Sequence, residues 1–118
     1  MAKRILVIDD DEDILAILHI LFMEEGFEAI LLQKETTTQH IKILSPDLIL
    51  LDVRIVGSTK TGPDICREIK AEFETMPVIL LSAEIDVHEL AKGCKADAYI
   101  RKPFDINKLM NKVKEYLN

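Results

Sequence analysis

Short apolar runs alternate with segments of helical period from one end of this chain to the other, and that alternation limits the fold more than any other feature. Ile5-Leu6-Val7-Ile8, Phe27 to Leu32, Leu48-Ile49-Leu50-Leu51, Val78 to Leu81 and Ala98-Tyr99-Ile100 read as five strands. Between and after them, apolar residues recur at i, i+3, i+4 and i+7. Ile14, Ile17, Leu18 and Leu21 mark a first helix near 13–25, closed by Gly26 where a left-handed residue is wanted. Ile41 and Leu44 face inward from a weaker second helix near 35–44, broken by Ser45-Pro46. Pro63 suits the first turn of a third helix, with Ile65, Ile69 and Phe73 on its inner face. Val87, Leu90, Ala91 and Cys94 give a fourth, and Asp105 caps a fifth with Ile106, Leu109, Met110, Val113 and Leu117 inward. Strand runs that are apolar on both faces belong to a parallel sheet covered by helices on both sides. The expected fold is α/β, a five-stranded doubly wound sheet with five helices, in one domain over residues 1–118.

Composition narrows the partners. Fifteen Lys and Arg stand against 21 Asp and Glu, a formal charge of −6. No basic excess is present to displace counterions from a nucleic acid, so these residues are not expected to bind one directly. No apolar run can span a bilayer, and the N-terminal run is too short for a secretory signal. Cys66 and Cys94 follow neither metal-ligand nor redox spacing and read as reduced helix residues of a cytoplasmic protein. His19, His40 and His88 show no ligand spacing and read as surface or helix residues.

In an open parallel sheet, ligands bind beyond the carboxyl ends of the strands. Those ends carry Asp9-Asp10-Asp11-Glu12-Asp13, then Asp52, Ser82 and Lys102-Pro103. Each residue also has a plain structural reading. Asp11, Glu12 and Asp13 suit a helix cap or its dipole, Asp52 a cap, Ser82 a turn and Lys102 a solvated charge. Together they bring carboxylates to one edge, where they repel and raise one another's pKa unless a cation joins them. Mg²⁺, with its preference for oxygen ligands, is the natural candidate.

Asp9-Asp10 after a strand, Asp-Leu-Ile-Leu-Leu-Asp at 47–52, Leu-Ser-Ala at 81–83 and Tyr-Ile-Arg-Lys-Pro-Phe at 99–104 occur in order on the strand ends. In these motifs the whole chain resembles the receiver domains of two-component response regulators, such as the chemotaxis receivers. The resemblance implies the flavodoxin-like strand order 2-1-3-4-5. It implies that Asp52 accepts a phosphoryl group from a phosphohistidine of a sensor histidine kinase or phosphotransfer protein. Asp10, Asp52 and the backbone carbonyl of Arg54 would hold Mg²⁺, and Asp9 a metal-bound water. Lys102 would pair with a phosphoryl oxygen, in a segment whose Lys102–Pro103 bond is cis. Ser82 would bond another oxygen, and Tyr99 would be the aromatic switch residue. Arg54 and Glu84, two residues after Asp52 and Ser82, occupy positions that modulate the approach of water, and their opposite charges invite pairing across the site. The readout would be the surface of helix four, strand five and helix five, offered to a downstream protein.

Three departures from the family pattern stand out. Val56 holds a position usually occupied by Pro, and the equivalent of a family glycine is Gly62, so the loop after Asp52 is two residues longer. Ser82 and Lys102 lie two residues closer than usual, which shortens the start of helix four. Lys95 stands where Gly is usual. The expected function is a switch and not an enzyme. A Mg²⁺-dependent phosphohydrolase would place a second Asp two residues after its nucleophile, where this chain has Arg54. An adaptor that works without phosphorylation would have no need of Asp9, Asp10, Asp52, Ser82 and Lys102 together.

Overall fold

The computed structural model describes residues 2–117. Five parallel strands, β1 (Arg4–Ile8), β2 (Glu28–Leu32), β3 (Leu48–Asp52), β4 (Val78–Ser82) and β5 (Ala98–Arg101), form one sheet in the order β2-β1-β3-β4-β5. Helices α1 (Glu12–Glu24), α2 (Thr38–Leu44), α3 (Gly62–Glu72), α4 (Val87–Cys94) and α5 (Ile106–Leu117) alternate with them. This is the flavodoxin-like architecture expected from the sequence.

Strand alternation divides the interior into two cores. Leu6, Ile8, Ile49, Leu51, Val78 and Leu80 face α2, α3 and α4, where they meet Ile41, Ile65, Ile69 and Val87. Ile5, Val7, Leu48, Leu50, Ile79 and Leu81 face α1 and α5, against Leu18, Phe22, Leu109 and Val113. Both faces of β1, β3 and β4 are therefore covered, which is why these runs are apolar without a break. Each such side chain contributes about 1.5–3 kcal/mol by leaving water.

Local chemistry sets the helix ends. The Asp11 carboxylate accepts the backbone N–H groups of Asp13 and Ile14 and starts α1. Thr61 and Asp64 cap each other's backbone N–H groups at α3, and Asp105 accepts from Asn107 and Lys108 at α5. Gly26, with φ of 80°, turns the chain after α1. Lys95 adopts φ of 65° after α4, the left-handed conformation for which glycine is better suited.

Two details of the helix faces differ from the expectation. Ile17 of α1 and Ile106 of α5 are exposed, and Leu15 and Phe22 are buried. Residues 14–22 of α1 are apolar apart from His19, so the spacing fits more than one face, and the sheet chooses Leu15, Leu18 and Phe22. Ile106 is the first residue of its helix and lies at the rim. Cys66 and Cys94 are buried free thiols, and the Cys66 thiol donates to the Cys94 carbonyl at 3.4 Å.

Candidate functional site

Parallel register gathers the strand ends. Ile8 pairs with Leu51, Asp52 with Leu81 and Ser82 with Arg101, so Asp9, Asp52, Ser82 and Lys102 emerge on one edge of the sheet. The backbone holds them there. Asp9 N–H donates to the Leu32 carbonyl, Val53 N–H to Leu81 and Lys102 N–H to Ser82.

Carboxylate oxygens of Asp9, Asp10 and Asp52 lie within 4.8 Å of one another. Asp9 is fully buried. Its Oδ1 accepts the Asp11 N–H at 2.9 Å, and its Oδ2 accepts the Lys102 ammonium at 2.8 Å. Lys102 also lies 3.5 Å from Asp52 Oδ1. Asp10, partly exposed, accepts the Val56 N–H on Oδ2 at 3.2 Å. The buried Ser82 hydroxyl oxygen accepts the Glu84 N–H at 2.9 Å, which leaves its own proton free to be donated.

Three acids facing one ammonium leave a surplus of negative charge. Burial, together with the charge of Asp9 and, less strongly, Asp10, raises the Asp52 carboxyl from 3.8 to about 7 against the pull of Lys102. Burial works to lower Lys102, but its hydrogen bond to Asp9 and the charge of Asp52 outweigh this and raise it. A partly open set of carboxylate oxygens with surplus negative charge suits a hard divalent cation such as Mg²⁺.

Arg54 and Glu84 form an ion pair that joins the β3–α3 and β4–α4 loops. Tyr99 is half-buried on β5, with its ring edge-on to His88 at 5.4 Å and the Arg101 guanidinium 5.7 Å from its centre. His88 therefore sits beside Tyr99, a contact absent from any sequence spacing because it joins α4 to β5. The Lys102–Pro103 bond is cis. Gly62 allows α3 to start directly against the end of β3. A Cβ there would lie 2.1 Å from the Asp52 carbonyl oxygen.

The acids, Ser82 and Lys102, expected on one edge from their places at the strand ends, are gathered there. The bond from Val56 N–H to Asp10 has no counterpart among those expectations, since a backbone donor leaves no mark in side-chain patterns. The replacement of Pro by Val was the only available signal, because Pro has no N–H to give.

A protein-family model of the response regulator receiver domain matches residues 5–114. The DNA-binding response regulator MtrA of Mycolicibacterium paratuberculosis is 35% identical over 120 residues, a match covering 99% of this chain and 52% of MtrA. MtrA of Mycobacterium tuberculosis H37Rv is also 35% identical, with 51% of its length covered. The chain thus spans about half the length of these curated relatives. Among solved structures, the receiver domain of NtrX from Brucella abortus superposes with a TM-score of 0.85 at 28% identity, covering 96% of this chain and 97% of that one. A CheY-like receiver domain protein from Methanospirillum hungatei gives a TM-score of 0.82 at 28% identity, covering 99% and 94%. With its strand order, its strand-end acids and a family match over nearly all its length, the chain belongs to the response regulator receiver domains of two-component signalling.

Proposed function

We propose that this domain is a phospho-acceptor switch, with Asp52 as the residue modified. The observation that carries this reading is the convergence of Asp52 with Asp9, Asp10 and Lys102 at the end of the central strand. Asp10, Asp52 and the Arg54 carbonyl would hold Mg²⁺, with Asp9 reaching it through water. Bound there, the ion supplies positive charge to the phosphoryl oxygens. The donor is a phosphohistidine of a sensor histidine kinase or phosphotransfer protein. An Asp52 carboxylate oxygen attacks the phosphorus. The phosphorus–nitrogen bond of the donor breaks as the new P–O bond forms, and the imidazole leaves as it takes up a proton. Lys102 pairs with one phosphoryl oxygen and Ser82 donates its free hydroxyl proton to another.

Ser82 and Tyr99 then carry the change to α4, β5 and α5, the surface offered to a downstream protein. Arg54 and Glu84, paired over the site, govern how water reaches the aspartyl phosphate. The unit is residues 1–118, of which residues 1 and 118 lie outside the described residues. It acts as a switch and not as an enzyme on bulk substrate, and does not itself contact nucleic acid. No described helix is long and apolar enough to cross a membrane. Buried free thiols support action in a reducing compartment such as the cytoplasm.

Incubation with acetyl phosphate and Mg²⁺ tests the central claim. One phosphoryl group is expected on the wild-type protein and none on Asp52→Asn. Modification of Asp52→Asn at the wild-type level would overturn the assignment. Mg²⁺ alone is expected to raise the melting temperature of the wild type, because a ligand that prefers the native state stabilises it. Asp10→Asn is expected to lose that response.

A further inference from the structure

The lengthened loop after Asp52 is fastened at both ends. At one end, Val56 N–H donates to Asp10 Oδ2 at 3.2 Å. At the other, Glu35, in the β2–α2 connection, makes three contacts. Its backbone N–H donates to Ser58 Oγ at 3.1 Å, and its Oε1 accepts from Thr59 N–H at 2.9 Å and from Thr59 Oγ1 at 3.0 Å. The two ends belong to one tight turn. Ser58 N–H donates to the Ile55 carbonyl at 3.1 Å, and Gly57 takes φ of 87°. That is a four-residue turn with a left-handed third residue, in which Val56 is the second. Ile55 is buried and anchors the turn from beneath. The direction of the Val56 N–H is thus set by a turn whose fourth residue, and the residue after it, are bound by Glu35.

We propose that Glu35 is a positioning residue for divalent-cation binding: it clamps the Ile55–Ser58 turn so that Val56 N–H holds the Asp10 carboxylate in its ligating orientation. The inference rests on the proposed function, which makes Asp10 a ligand. The physical argument is that a metal-binding carboxylate is oriented by the hydrogen bonds it accepts, and loses affinity when they are removed. The Val56 N–H on Oδ2 fixes the direction of the Asp10 carboxylate, one oxygen of which lies within 4.8 Å of those of Asp9 and Asp52. Proline could not make this bond. The device therefore belongs to a chain with Val56 and the longer loop.

A double-mutant cycle on the full chain tests the route, with Mg²⁺ titrations read by amide NMR signals of the unphosphorylated protein. Glu35→Ala is expected to weaken Mg²⁺ binding about three- to tenfold and to speed hydrogen exchange of the Val56 amide. Glu35→Gln keeps an acceptor oxygen and is expected to restore most of both. Val56→Pro suits the second position of such a turn, so it is expected to fold and to weaken Mg²⁺ binding by a similar factor. In the Val56→Pro background, Glu35→Ala is expected to cost nothing further. Wild-type Mg²⁺ affinity in Glu35→Ala, or an equal loss with and without Val56→Pro, would overturn the inference and leave the proposed function standing. A wild-type protein with no Mg²⁺ response would overturn both. Loss of the response in Asp10→Asn, together with a non-additive cycle, would support both.

Discussion

The Lys102 ammonium reaches 93 residues back along the chain to the fully buried Asp9, 2.8 Å away, and lies farther from Asp52, at 3.5 Å. Lys102 is thus held chiefly by Asp9, with Asp52 within reach of the same ammonium. This pair closes the sheet edge between β1 and the end of β5.

Removing one partner of that pair leaves the other buried and uncompensated. Lys102→Met is expected to destabilise the fold by about 3 kcal/mol, read as a lowered urea midpoint. Adding Asp9→Asn is expected to recover much of the loss. A single variant as stable as the wild type would show that the pair is not structural.

The raised Asp52 carboxyl gives stability a definite pH dependence in the absence of divalent cations. The unfolded chain releases this proton near 3.8, and the folded chain keeps it to about 7. Protonated Asp52 therefore favours the fold at low pH, and that contribution is lost progressively as pH rises to about 7. A carboxyl ¹³C titration in EDTA is expected to show an Asp52 midpoint near neutrality, and added Mg²⁺ is expected to lower it. A midpoint at the ordinary carboxylate value in EDTA would contradict the burial argument.

Gly62→Ala places a methyl group 2.1 Å from the Asp52 carbonyl oxygen and 2.8 Å from the Val53 Cα, both backbone atoms that can give way only if the strand end moves with them. A loss of about 2–3 kcal/mol is expected. The end of β3 must shift to make room, so the melting-temperature response to Mg²⁺ is expected to shrink in the same variant. Calorimetry with and without Mg²⁺ checks both.

Beryllofluoride, a phosphoryl mimic, is expected to shift amide signals of residues 82–105 more than those of residues 14–44. In Ser82→Ala the mimic is still expected to bind, with a smaller shift at Tyr99. Equal shifts at Tyr99 in variant and wild type would remove Ser82 from the coupling path.

Lys95→Gly is expected to stabilise the protein by about 1 kcal/mol, because φ of 65° costs a residue with a Cβ roughly that much. Chemical denaturation measures it directly, and a loss of stability would mean that the Lys95 side chain makes a compensating contribution.

Much of this architecture was legible before any coordinates. Unbroken apolar runs at Ile5–Ile8, Leu48–Leu51 and Val78–Leu81 announce strands covered on both faces, and their polar ends announce the site. The inner face of α1 was not legible, because a helix apolar nearly all round offers no contrast and only the sheet decides between Leu15 and Ile17. The contacts of Lys102 with Asp9, Val56 with Asp10 and Thr59 with Glu35 were hidden for another reason. Each joins segments far apart in the chain, and two of the three use a backbone N–H that every residue except Pro possesses.

The meeting of three carboxylates with a single ammonium also fixes a charge balance. With all three acids ionised the pocket carries two excess negative charges, which one divalent cation brings to neutrality. Converting the Asp52 carboxylate to an acyl phosphate would remove one negative charge and add about two. A neutral pocket then becomes anionic by about one unit. Among the donors at the same sheet edge is the Ser82 hydroxyl, whose proton is not engaged by the protein. On the proposed function, the signal would be an electrical deficit created at one carboxylate and settled by rearranging dipoles around it.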